Sequence, residues 1–272
     1  MKSPTNITEE QKQFISIINS MVGRYNAWEL WKDIIMTSAI AIANSIPQNY
    51  SEEREQIYLK IINKYNEKER FQFPQLFSCI VQGLEHKPDS DFLGELFMEL
   101  KLNSNWAGQF FTPYSLCKLT AELNNSNAIE QVKEHGWVSV NDPACGAGAL
   151  LIAFANTMHV QGINYQNHVL FTAQDVDMTV GLMCYIQLSL LGCAGYIKIG
   201  DTLANPMTQQ EIDSKDDSIW FTPMYYSDVW AGRRLWQKMS KIMEIPHSQT
   251  IKRVPIKFHR VPIITQEVVN NG

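Results

Sequence analysis

The chain lacks several features that would assign it to a broad class at once. Its longest apolar run, Ile34 to Ile46, is broken by Thr37, Ser38 and Asn44 and falls well short of the ~20 residues a membrane span needs. The first residues show no apolar core of the kind a secretory leader carries, so a soluble cytoplasmic protein with no membrane partner is expected. Cysteine is sparse and forms no C-x-x-C pair, which removes the usual zinc and dithiol motifs. Cys79, Cys117, Cys145, Cys184 and Cys193 stand in apolar or glycine-rich surroundings that suit buried reduced thiols, and no metal ligands are expected. Positive charge is also short. With a formal net charge of −5 there is no overall electrostatic footprint for nucleic acid, so any such contact must come from a local patch or a partner chain.

What is present starts with length: 272 residues, 45% of them hydrophobic, can bury a full core as one large or two small domains. The most informative stretch runs from Val138 to Ala155, where a β-branched run meets a glycine turn and then an apolar helix-forming run. That order predicts strand, tight turn and helix. Gly146 and Gly148 remove two Cβ atoms where the backbone turns and a ligand can lie against it, and Asp142 puts a carboxylate at the strand's end. A dinucleotide fingerprint wants a third small residue three after the second glycine, and Leu151 stands there, which sets NAD aside. The segment Asp-Pro-Ala-Cys-Gly-Ala-Gly, 142–148, resembles the first cofactor motif of S-adenosylmethionine-dependent methyltransferases, in the form used by amino-methylating DNA methylases. The resemblance implies S-adenosylmethionine as ligand, with Asp142, Pro143, Ala144, Gly146 and Gly148 around its methionine part.

Residues 1–100 read as helical. Thr8-Glu-Glu-Gln11 has capping-box spacing, and Phe14, Ile15, Ile17, Ile18, Met21 and Val22 succeed it at helical intervals. Further helices are expected from about Asn26 to Ile46, from Ser51, and after Pro74. Phe92, Leu93, Leu96, Phe97 and Leu100 form an apolar stripe that would pack the helical region onto the α/β region C-terminal to it. Asn103 and Asn105 then lead to Gly108-Gln-Phe-Phe-Thr-Pro-Tyr114, where Thr112 suits an N-cap and Pro113 a first helical position. The series from Asp91 to Leu100 together with this segment resembles the helical lead-in of type I restriction-modification methylation subunits. Carried over, Phe111, Thr112 and Pro113 would wall the cofactor, with donors at the helix N-terminus facing its carboxylate.

Strand ends near 142, 175 and 201, separated by a helix over Met178–Leu191, have the spacing of successive right-handed βαβ units in a parallel sheet. Ligands in such sheets lie outside the strands' carboxyl ends. The family match puts Asp175 on the ribose hydroxyls, with Asp177 a near alternative. It puts Asp201 beside the adenine amino group, although the same residue also suits a turn cap.

The family's catalytic Asn-Pro-Pro-aromatic tetrapeptide has no clear counterpart. Its side-chain and backbone oxygens accept from the target amine, and its ring stacks on the flipped base. The one candidate, Asn205-Pro206-Met207, lies four residues beyond Asp201, too few for a fourth strand, and reads as a turn. Trp220 to Trp236 gathers aromatics beside Arg233, Arg234, Lys238 and Lys241, which could stack bases and hold phosphates. Val229, Gly232, Trp236, Met239 and Met243 also trace one helical face, which favours core or subunit packing. The closing Ile251–Ile264 piece, with Lys252, Arg253, Lys257 and Arg260, suggests an edge strand or a basic arm.

The expected architecture is α/β: an N-terminal helical domain over 1–107, a Rossmann-like methyltransferase sheet over 108–205 shortened after its third strand, and an aromatic and basic segment over 206–272. The expected function is that of an adenine-N6 DNA methyltransferase family protein, with Asn205 and Pro206 as its candidate catalytic residues. It would work on DNA with a specificity or methylase subunit. The alternative is a catalytically degenerate S-adenosylmethionine-binding protein that senses the cofactor or assembles with a true methylase.

Overall fold

The computed structural model describes residues 7–102, 111–242 and 254–255. The helical lead-in comprises α1 (Glu9–Met21), α2 (Ala27–Asn44), α3 (Glu52–Ile62), α4 (Glu67–Arg70), α5 (Gln72–His86) and α6 (Phe92–Glu99). Its starts are set by side chains that satisfy free backbone donors. Thr8 and Gln11 form the capping box of α1, Asn26 caps α2, and Ser51 caps α3.

The remainder is an α/β unit: α7 (Tyr114–His135), β1 (Val138–Asp142), α8 (Ala149–Val160), α9 (Tyr165–His168), β2 (Val169–Asp175), α10 (Met178–Leu190), β3 (Ala194–Ile199), α11 (Gln209–Ser214), β4 (Ile219–Phe221), α12 (Asp228–Ile242) and β5 (Val254–Pro255). The strands form one sheet in the order β4-β3-β2-β1-β5. β1, β2, β3 and β5 run parallel, while β4 is antiparallel to β3. The expected α/β class and the three parallel strands are therefore present, and two short strands extend the sheet beyond them. β4 carries no sequence signal because Ile219–Phe221 is only three residues long and sits in an aromatic stretch without alternation. Its outer edge is covered from the helical lead-in. Asn49 Nδ2 donates to the Phe221 carbonyl at 3.1 Å, and the Arg54 guanidinium lies 4.0 Å over the Trp220 ring and donates to the Ile219 carbonyl at 3.2 Å.

The two sheet faces differ. One buries Val140, Phe171, Ala173 and Ile197 in a hydrophobic cluster that continues without a break into α10, α2, α1, α5 and α6. Val180 to Leu188 of α10 are all buried, as expected of a helix apolar on every side. The other face carries Asn141, Thr172, Gln174, Tyr196 and Lys198, laterally aligned by the strand register. These polar groups are paired: Thr172 Oγ1 donates to Asn141 Oδ1 at 2.8 Å, and fully buried Lys198 meets Glu211 at 2.6 Å. A small second core of Tyr196, Ile212, Ile219, Phe221 and Tyr225 completes that face.

On α12, Val229, Trp236 and Met239, expected in core or subunit packing, stay out of the chain's own core at 42%, 66% and 38% exposed, whereas Trp230 is 2% exposed and points inward. The apolar spacing is legible in the sequence, but the inward face is the one on which Trp230 meets Trp137 edge to face. Met243, Asn103, Asn105, the Gly108–Phe110 segment and the basic residues Lys252, Arg253, Lys257 and Arg260 lie outside the described residues.

Because Leu96 is 1% exposed within the continuous core, Leu96→Asp should cost about 4 kcal/mol or more, combining lost burial with a buried charge. In urea titrations, circular dichroism and tryptophan fluorescence should report the same lowered midpoint. A wild-type midpoint by fluorescence alone would show that the sheet region does not depend on α6.

Candidate active site

The ends of β1, β2 and β3 are tied to one another by backbone geometry. After Asp142 the chain makes a tight turn in which Gly146 and Gly148 take φ of 56° and 95°, the left-handed region that side chains rarely adopt. A Cβ at Gly148 would fall 2.9 Å from Cys184 Sγ, and one at Gly146 would meet the Phe111 ring at 3.4 Å. The glycines thus let α8 approach α10 and let an aromatic ring lie on the turn. Cys145 N donates to the Gln174 carbonyl at 3.1 Å, Gly200 N to the Asp175 carbonyl at 2.8 Å, and Thr202 Oγ1 to the Pro143 carbonyl at 2.6 Å.

Two carboxylates sit at the centre. Asp142 is 2% exposed and accepts from Ala144 N at 3.1 Å. Asp175 is half-buried, accepting from Gly146 N at 2.9 Å through Oδ2 and from Asp177 N at 2.9 Å through Oδ1. Burial pushes Asp142 up to about 6, with the Asp175 charge adding to the effect. Burial also raises Asp175, against the opposing hydrogen bonds from the Asp177 and Gly146 amides. Among the described residues neither acid has an ion-pair partner. A pair of desolvated acids beside a glycine turn, with no counter-cation, suits a ligand that brings positive charge and hydroxyl donors.

Phe111 lies against this turn, and Phe111, Thr112 and Pro113 border a cavity of about 550 Å³ that reaches Gly94 and Glu95 of α6 but is lined by neither Asp142 nor Asp175. Residues 91–252, more than half of the chain, match the family model described as N-6 DNA Methylase. The chain belongs to the N-6 DNA methylase family. It is 26% identical over 164 residues to the methylase subunit of the type I restriction enzyme MjaIX of Methanocaldococcus jannaschii, a match that covers 58% of this chain and 27% of that relative. The chain thus spans about a quarter of the length of that curated relative. The crystal structure of a type I restriction-modification methyltransferase subunit from Streptococcus thermophilus aligns with 75% of this chain and 46% of its own, at 17% identity and a TM-score of 0.34.

The other candidate residues of this methylase-family chain are spread over three turns. Thr112 is not an N-cap: α7 begins at Tyr114, Pro113 holds the cap position with ψ of 133°, and no cap hydrogen bond from a side chain is made there among the described residues. Proline at that position fixes an extended entry and shifts the helix start one residue on. Asp177 is the N-cap of α10, its carboxylate accepting from Val180 N at 2.9 Å. Asp201 is exposed, and its Oδ1 accepts from Leu203 N and Ala204 N at 2.8 and 3.1 Å. Asn205 and Pro206 are exposed in the adjoining turn. Gln174 anchors that turn, donating to the Asn205 carbonyl at 2.9 Å and accepting from Met207 N at 3.1 Å.

Sequence reasoning missed a buried support, Gln187, which is fully inaccessible on α10. Its Nε2 donates to the Ala147 carbonyl and to Asp91 Oδ1, both at 2.8 Å, and its Oε1 accepts from Leu93 N at 3.1 Å. A lone glutamine inside an otherwise apolar helix was the available signal. Asp91 also accepts from Gly94 N at 2.9 Å. Burial pushes it up to about 6, while the Gln187 and Gly94 bonds work in the opposite sense.

This shift gives a signed pH prediction. A carboxyl whose folded pKa lies above its unfolded value binds more protons when folded, so its contribution to stability is fully present below about pH 4 and is lost as pH rises to about 6. Asp91→Asn keeps an acceptor without the charge. The melting temperature of the variant relative to wild type should therefore rise between pH 4 and pH 7, by the equivalent of about 2–3 kcal/mol. A difference that stays flat or falls across that range, measured by differential scanning calorimetry, would contradict a charged, buried Asp91.

Proposed function

We infer that the strand-end site binds S-adenosylmethionine and that the chain is the cofactor-binding part of an adenine-N6 DNA methyltransferase working with a partner chain. The observation that carries this reading is the pair of acids, Asp142 and Asp175, raised by burial and without a cation partner among the described residues, around a turn whose two glycines take left-handed φ. Family membership and likeness to a type I methylase subunit support it. Bound there, the cofactor would supply an activated methyl group on a sulfonium.

The chain's own residues would do the rest. Asp175 would take the ribose hydroxyls while its existing bond to Gly146 N keeps the turn in register. Asp142, Pro143 and Ala144 with the glycine backbone would face the methionine part. Phe111, Thr112 and Pro113 would form the wall, with the uncapped donors of α7 near the carboxylate. Asp201 would accept from the adenine amino group through capacity left beyond its two turn bonds.

A partner is part of the reading because the base-side parts are incomplete. The sequence contains no Asn-Pro-Pro-aromatic segment, and Asn205 and Pro206 stand in an exposed turn whose backbone is engaged by Gln174. Losing one preorganised hydrogen-bonding group at such a site costs on the order of 100-fold in rate, and losing base stacking roughly a further 1–3 kcal/mol. The second reading, a cofactor-binding subunit without turnover of its own, rests on this same feature.

Titration calorimetry tests the cofactor site. S-adenosylmethionine should bind, with affinity falling as pH drops below about 6 and Asp142 gains a proton. Asp175→Ala should weaken binding at least tenfold through lost charge-assisted hydrogen bonds of about 1.5–3 kcal/mol each. Unchanged affinity in a variant with a wild-type melting profile would reject Asp175 as the ribose ligand.

Transfer of a labelled methyl group to unmethylated DNA tests the rest. The chain alone should give little or none, and a second subunit should restore it. Robust turnover by the chain alone, abolished by Asn205→Ala, would instead make Asn205-Pro206-Met207 a working variant motif.

A further inference from the structure

On the opposite sheet face, α12 and the turn at Pro223–Tyr226 enclose a cleft of about 390 Å³ whose lining includes neither Asp142 nor Asp175. It is bordered by Lys215, Arg233, Arg234 and Lys238, against a single carboxylate, Asp213. Among the described residues none of these four cations forms an ion pair. In a protein of net charge −5, that concentration of unneutralised positive charge costs self-repulsion and calls for an anion.

The cations are held in place without being neutralised. Arg234 stacks 4.0 Å over the Tyr225 ring and donates to the Tyr225 carbonyl at 2.5 Å. Arg233 stacks 4.6 Å over Trp230 and donates to the Asn167 and Gly136 carbonyls. Lys215 Nζ lies 5.2 Å from the Tyr226 ring. Each guanidinium has five donors in a rigid fork, so these contacts leave donors over for a ligand at little further entropic cost. The rings between them meet edge to face, Tyr196 with Tyr225 and Tyr225 with Tyr226. Among the described residues the buried Tyr226 hydroxyl has no hydrogen-bond partner.

We propose that this cleft is a second ligand site, separate from the strand-end site, that takes a nucleoside phosphate unit. Its phosphate would lie among Arg234, Lys215 and Lys238, and its flat base would join the aromatic cluster. The same chemistry is presented by a free nucleotide and by a residue of a single strand, and the volume suits one such unit. The proposal does not depend on what the strand-end site binds.

Trp137 and Trp230 border the cleft, so intrinsic fluorescence of the full chain reports occupancy. The chain is titrated with ADP, with a ten-nucleotide oligothymidylate, and with inorganic phosphate. At least one of the first two should give a saturable change at concentrations where phosphate gives none. Saturation by ADP alone identifies a free nucleotide as the source, and by the oligonucleotide alone a strand. Lys215 and Lys238 are exposed, so the double variant Lys215→Gln/Lys238→Gln should keep the wild-type melting temperature and bind at least tenfold more weakly, with a smaller salt dependence. Asp175→Ala should bind as wild type. The proposal is overturned if neither nucleotide ligand binds, if phosphate binds equally well, if the lysine variant is unaffected, or if Asp175→Ala removes the signal.

Discussion

The glycine turn that organises this protein depends on one buried amide. Gln187 holds the Ala147 carbonyl inside the turn and, through Asp91 and Leu93 N, the start of α6. All three of its bonds lie where no water competes, so each unmade bond would leave a desolvated polar group costing about 1–3 kcal/mol. The helical lead-in and the strand-end loop therefore cannot shift independently. α6 is buried beside α10 in the same core, and Phe111, its ring edge to face with Phe97 of α6, rests on Gly146 because that position has no Cβ.

Charge is distributed across the sheet by the same logic of burial. At the strand ends burial raises both Asp142 and Asp175, and among the described residues neither has a cation partner. On the other face Lys198 is buried but satisfied by Glu211. Beyond it Arg233 and Arg234 meet, among the described residues, carbonyls and rings but no carboxylate within ion-pair distance. Acids at one end and cations at the other, both without ion-pair partners among the described residues, retain electrostatic work for ligands of opposite kinds.

Helix starts in the lead-in are legible in the sequence because capping is local: Thr8, Asn26 and Ser51 each satisfy donors within three residues. The strand ends at Asp142 and Asp175 are legible for a similar reason, since a β-branched run stopped by a turn names its own boundary. The α7 start differs from expectation by one position because proline fits both N-cap and first-turn geometry, and only the ψ of Pro113 separates them. The stripe on α12 is real, but it lies outside the chain's own core. Periodicity shows that a face exists, whereas the docking of Trp230 against Trp137 decides which face turns inward.

The residues 138–155 by themselves determined a strand, a glycine turn and a helix, and with 91–113 they pointed to the family, because backbone conformations that favour glycine leave a local record in the chain. Tertiary structure alone decided that Gln187 braces that turn, that Gln174 engages the backbone around Asn205, that Asn49 and Arg54 cover the β4 edge, and that Arg233 and Arg234 border a cleft. Each of these joins residues far apart in the chain, or depends on which groups are removed from water. Hydrogen-bond partners and desolvation belong to the packed state, and no local pattern in the chain encodes them.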